Sequence, residues 1–188
     1  MSRRALVTGL AAAVAGCVEP PLYVLMPVPG PMLTGAPMTV LIRGVMLPRS
    51  LQQAAIVRAT EFPAPNMPPA VWWAEPLYAM IARVLAQDLT QRLPGTRVIV
   101  ALEPPFPSSD TWIELSVQRF DTNQRGDVLV EAMVQVAGLR LFTRSAWKQI
   151  APANGSTQAL VTALSIALGG LADQIAALVV ESWSIPFR

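Results

Sequence analysis

One short run in this chain has the residue types and spacing of a covalent modification site: Val14-Ala15-Gly16-Cys17. An aliphatic residue, a small residue and a glycine directly before a cysteine match the pattern of a lipoprotein signal. A lipoprotein-type peptidase cuts before such a cysteine once its thiol is diacylated. Cys17 is the only cysteine of the chain. Ahead of it stand a basic stub, Ser2-Arg3-Arg4, and an apolar run from Ala5 to Ala15 broken only by Thr8 and Gly9. A basic segment, an apolar segment and small residues at a cut site describe an export signal. The two arginines also resemble the start of a twin-arginine signal, but Ala5-Leu6-Val7-Thr8 fits that pattern poorly. The general secretion route is expected, with residues 1–16 removed and Cys17 as the lipidation site carrying palmitate or a similar acyl group.

Other chemistry is scarce. The chain has no histidine. That removes Ser-His-Asp and Cys-His nucleophile systems, His-ligated zinc and the commonest general base. With Cys17 acylated, no thiol remains for a disulfide or a metal. No metal site and no cofactor is expected, and carboxylate-only catalysis remains possible. The whole chain carries 14 Lys and Arg against 12 Asp and Glu. Loss of Arg3 and Arg4 with the signal makes the mature balance even. No basic patch points to nucleic acid.

The mature chain, about 170 residues, is enough for one domain. Residues 17–37 form a lipidated N-terminus and a tether rich in proline, with Pro20, Pro21, Pro27, Pro29, Pro31 and Pro37. Such density opposes helix and favours extended chain. Tyr23-Val24-Leu25 within it suits a short edge strand. Residues 38–188 are then a single periplasmic domain.

Met38 to Val45 reads as a strand. Leu51 to Arg58 fits a short helix or a strand, and Phe62 to Pro69 is a proline-rich loop. A helix is predicted from Ala74-Glu75-Pro76, with proline in its first turn. Its apolar stripe is Trp73, Leu77, Ile81, Val84, Leu85 and Leu89, with Arg83, Gln87, Gln91 and Arg92 mostly off it. Leu93-Pro94-Gly95 ends it. Arg97 to Leu102 is a strand. Thr111 to Asp121, Asp127 to Val136 and Leu141 to Lys148 alternate in polarity and predict an antiparallel meander. Asn154-Gly155-Ser156-Thr157 suits the cap of a last helix, Gln158 to Ser182. The uninterrupted apolar stretch of that helix, Ala159 to Ala172, is short of the ~20 residues a membrane span needs. Burial against the sheet is the better reading. The fold class expected is α+β: two layers, a mainly antiparallel sheet and two long helices packed on one face.

If Trp73 faces the core of a helix, Trp72, turned about 100° from it, lies at the edge or outside. Trp72, together with Phe62 and Met67 of the preceding loop, is therefore the candidate partner-binding surface. Glu75, Arg83, Arg119 and Asp121 are read as surface charges or as an ion-pair set.

The Cys17 motif, Leu47-Pro48, Ile56-Val57-Arg58, Trp73-Ala74-Glu75-Pro76-Leu77, Arg83-Val84-Leu85 and Val117-Gln118-Arg119-Phe120-Asp121 resemble the ABC-type transport auxiliary lipoprotein family, which includes the paraquat-inducible protein C lipoproteins. Members usually carry Tyr-Leu-Asp-Arg after Leu-Pro; Arg49-Ser50-Leu51-Gln52-Gln53 stands here instead. The resemblance implies a non-enzymatic, membrane-anchored periplasmic accessory of an envelope lipid transport system. Its implied partners are a mammalian-cell-entry-type periplasmic protein and an ABC or integral inner-membrane transporter, and a homo-oligomer is compatible with it. Val18 after the cysteine, where enterobacterial inner-membrane retention uses Asp, fits the periplasmic face of the outer membrane. The rival readings are an outer-membrane assembly or structural envelope lipoprotein, and a secreted hydrolase working with carboxylates.

Overall fold

A computed structural model of the chain describes residues 21–35, 38–56 and 71–183. Cys17, Phe62, Met67 and the rest of the Phe62–Pro69 loop lie outside the described residues. The strands are β1 (Leu22–Tyr23), β2 (Thr39–Met46), β3 (Trp72–Trp73), β4 (Arg97–Val100), β5 (Thr111–Thr122), β6 (Val128–Ala137) and β7 (Leu141–Ile150); the helices are α1 (Leu77–Arg92) and α2 (Thr157–Trp183). Among the described residues the main sheet has five strands in the order β4-β2-β5-β6-β7, and β1 and β3 form a separate pair.

The expected meander is present. β5 pairs with β6 and β6 with β7, both antiparallel, and Gly126 closes the first hairpin in the left-handed region at φ +84°. Asn123 Oδ1 accepts the N–H groups of Arg125 and Asp127 and holds that turn. The sheet as a whole is mixed rather than mainly antiparallel, because β2 runs parallel to both β4 and β5. The cause is the crossover: β2 returns to β4 through α1, and a parallel return needs a connection of that length. The strand expected over Arg97 to Leu102 ends at Val100.

Strand alternation sets the core. Val128, Val130, Ala132, Val134 and Val136 are buried, while Leu129, Glu131, Met133 and Gln135 are only half-buried. Helix α1 packs on β2 and β4, α2 packs on β6 and β7, and the two helices touch each other. Ser156 caps α2 by accepting the Ala159 N–H at 3.1 Å. By length and composition α2 could cross a membrane. Here Leu164, Leu168, Leu171 and Ile175 of α2 are fully enclosed. Helix α1 starts at Leu77, just after the Ala74-Glu75-Pro76 block expected to open it, so Pro76 is its N-cap at φ −54° rather than part of its first turn. Trp73 thus belongs to β3, not to the helix. Its ring is buried near Phe120, with centroids 6.5 Å apart.

The proline-rich stretch is a docked strap over residues 21–35. Leu25 is fully buried, and several backbone groups of the strap are hydrogen-bonded to the rest of the domain. Tyr23 O accepts the Ala74 N–H, Met26 N–H donates to Ser165 Oγ, Val28 N–H to Asp88 Oδ1 and Leu33 N–H to Arg92 O. Pro27, Pro29 and Pro31 alternate with these residues and have no N–H to satisfy.

Arg92, expected off the apolar stripe, is 1 % exposed and locks this arrangement. Its Nε donates to Asp173 Oδ1 at 2.5 Å, Nη1 to Val28 O and Asp88 O, and Nη2 to Gly169 O. Asp88 lies 3.8 Å from the guanidinium and is fully buried. Its Oδ2 has no hydrogen-bond partner among the described residues. Burial pushes the Asp88 carboxyl up from 3.8 to about 6; the Val28 N–H and Arg92 pull it down, and Asp173 adds to the rise.

Two outcomes follow from this packing. Val130→Asp places an unpaired charge in the core and abolishes cooperative unfolding in denaturant. Glu131→Gln, its neighbour on the other face, stays within about 0.5 kcal/mol of wild type. Equal destabilisation by the two would contradict the register. Asp88 binds its proton more tightly folded than unfolded, so its contribution is full below pH 4 and lost as pH rises through 6. The loss is on the order of 2–3 kcal/mol, from a shift of about two units at 1.36 kcal/mol each. The stability of wild type relative to Asp88→Asn therefore falls between pH 4 and 7 in urea titrations. A difference independent of pH would show that Asp88 is not the titrating group.

Candidate functional site

The exposed end of β2, the 3₁₀ turn Arg49–Leu51 and the start of α1 enclose a cleft of about 570 Å³. Val45, Met46, Leu47, Gln52, Leu77 and Tyr78 line it, with Pro76 at its margin. The local sequence explains this geometry. Leu47-Pro48 ends β2 because proline cannot continue the ladder. Gln52 Nε2 then donates to Leu47 O at 2.9 Å and folds the turn back on the strand. Pro76 starts the helix on the opposite wall. Met46 and Tyr78 remain 56 % and 45 % exposed. Its lining is mostly apolar in residue type, with one amide from Gln52 and one phenol from Tyr78. It presents no acid–base pair.

Trp72 is 37 % exposed, against 6 % for Trp73. The expected division between the two tryptophans is observed, but its cause is strand alternation rather than helical rotation. Trp72 pairs in parallel register with Leu22 and forms an isolated bridge with Ala55. Since Phe62 and Met67 lie outside the described residues, Trp72 is the one member of the expected surface that the structure places.

The four charges expected as a set form two separate pairs. Arg83 meets Glu75 at 3.3 Å, both about half exposed. Arg119 meets Asp121 at 3.0 Å, where Asp121 is nearly buried and the two, two residues apart on β5, share one face of the strand. The Arg83 pair stands outside α1's buried stripe, on solvated ground where such pairs contribute little.

Asp88, Arg92 and Asp173 escaped sequence reasoning. A signal was present: Ile81, Leu85, Asp88 and Arg92 continue one face at spacings of four, three and four. Two carboxylates converge here, as a carboxylate hydrolase would require. They converge on a guanidinium, with the Val28 backbone filling the space between α1 and α2, so the cluster is an internal clamp. Among the described residues, no group of three His, Cys, Asp or Glu side chains is placed to hold a metal ion.

Two solved structures share this fold. An uncharacterized protein superimposes with a TM-score of 0.65 at 18 % identity, covering 82 % of this chain and 99 % of its own. Protein XCC0632 from Xanthomonas campestris, of family DUF330, gives 0.62 at 16 % identity over 87 % and 93 %. At these identities the likeness is one of fold. No curated protein matches the chain. The model of the ABC-type transport auxiliary lipoprotein component family matches residues 23–176, from the strap through most of α2. With the match running over the strap, the cleft and both helices, the chain belongs to the ABC-type transport auxiliary lipoprotein component family.

Proposed function

We propose that the protein is a lipid-anchored periplasmic accessory of an ABC-type envelope lipid transport system, non-catalytic, and held at the outer membrane by Cys17. The observation that carries this reading is the coincidence of the family match with a lipidation motif that ends four residues before the docked strap. A mammalian-cell-entry-type periplasmic protein is the proposed direct partner. The two helices, in mutual contact and each against the sheet, are taken to share the face that carries Val130.

The cleft between β2 and α1, together with the exposed Trp72 of β3, is the proposed partner surface. Leu47, Pro76 and Leu77 of the cleft lining belong to two of the blocks that carry the family resemblance. An exposed tryptophan has the character of an interface hot spot. Phe62 and Met67 belong to the same proposal through their place in the loop leading to β3.

Metabolic labelling with a palmitate analogue marks the wild type and leaves Cys17→Ser unmarked; equal labelling would remove the anchor from the reading. Trp72→Ala retains a near-normal melting temperature but no longer co-purifies with the mammalian-cell-entry-type protein from mild-detergent extracts. Its loss is expected to cost ~2 kcal/mol or more of binding. Undiminished co-purification would place the partner elsewhere, and a large fall in stability would make Trp72 a packing residue.

A further inference from the structure

We infer that the outward side chains of the strap, Leu22, Val24 and Met26, form a second membrane contact that seats the domain directly on the bilayer. The inference rests on acylation of Cys17. The strap is extended, so its side chains alternate. Tyr23 is half-buried and Leu25 is fully buried, while Leu22, Val24 and Met26 are 64 %, 39 % and 60 % exposed. Three successive outward positions are thus apolar, although burial in the domain requires only the inward ones. No charged side chain occurs between Glu19 and Arg43. A grouped apolar surface of this kind marks a contact.

Chain length identifies the occupant. An acylated Cys17 sits at the membrane surface. The five peptide links from Cys17 to Leu22 reach ~18 Å at full extension. Leu22 cannot swing away from the domain to lengthen that reach. Its neighbour Tyr23 accepts the Ala74 N–H at 2.9 Å, β1 is paired with β3, and Leu25 is in the core. The start of the strap is therefore confined to a shell close to the lipid, and its outward face meets a bilayer at high effective concentration. Even a weak apolar contact is populated under that constraint, as a second signal beside a lipid chain. Trp72, in register with Leu22, puts one residue of the proposed partner surface on the strand paired with the start of the strap. The bilayer contact then fixes the height at which a partner is met.

The test uses acylated full-length mature protein, in which Cys17 is consumed and an introduced cysteine is the sole thiol. Met26→Cys and Arg140→Cys are each labelled with an environment-sensitive fluorophore. They are mixed with vesicles of phosphatidylethanolamine and phosphatidylglycerol carrying a nitroxide high on the acyl chain. The second site is remote: Met26 is bonded to Ser165 and Gly138 abuts Ser182, positions ~25 Å apart along α2. Quenching several-fold stronger at position 26 than at 140 is expected. It should be lost in Leu22→Asp/Val24→Asp while the protein still floats with the vesicles. Equal weak quenching at both sites in floating protein overturns the contact and leaves the anchor standing. Failure to float removes the anchor and the contact with it. A shielded label at position 26 without vesicles, with a doubled mass in sedimentation, assigns the patch to a second copy of the chain and overturns the proposal.

Discussion

Arg92 is where three segments distant in sequence are tied together. Its guanidinium bonds the strap at Val28, its own helix at Asp88 and the second helix at Gly169 and Asp173. Removing a guanidinium from water is costly unless its donors are satisfied in good geometry, and here four bonds do so. Gly30 belongs to the same arrangement: a side chain at that position would overlap Arg92 and Asp173. The space between α1 and α2 is therefore a polar slot closed by an extended backbone. The strap is held by specific hydrogen bonds as well as by burial of Leu25.

That clamp changes what the N-terminal composition means. Proline density is normally a mark of a linker, because it prevents helix and removes donors. The same removal of donors suits a strand-like segment laid over helices, where no neighbouring strand is available to accept them. Proline at alternate positions leaves the N–H groups of Met26 and Val28, and each has a side-chain acceptor waiting in α2 or α1. A docked strap and a free tether look alike in composition. They differ in whether acceptors exist at the matching positions of the helices.

The mixed sheet has a similar origin. β2 is central in the parallel half of the sheet, with β4 and β5 on either side. It enters there because α1 carries the chain across before β4 forms. The cleft is a consequence: β2 outruns its shorter neighbour β4, and its last residues, Val45 and Met46, with Leu47 after them, line the cleft with the start of α1. The topology brings these walls together, and Pro48, Gln52 and Pro76 shape them locally.

The sequence alone determined the elements whose cause is local. Alternation in Thr111–Asp121 and Asp127–Val136 specified strands and their buried faces, since a strand's period is two whatever it packs on. Asn123 and Gly126 specified a turn, and Ser156 the cap of α2. The same local logic separated Trp72 from Trp73, though through the wrong element. Tertiary structure alone decided what depends on partners remote in the chain. It placed β2 parallel between β4 and β5, because strand neighbours follow from the path of the crossover. It turned the proline-rich segment into a strap, because the acceptors that fix it lie 60 residues away at Asp88 and 139 residues away at Ser165. It buried Arg92, because a charge can occupy an apolar stripe only when carboxylates and carbonyls from other segments converge on it. No window of sequence around Arg92 contains Val28, Gly169 and Asp173 together.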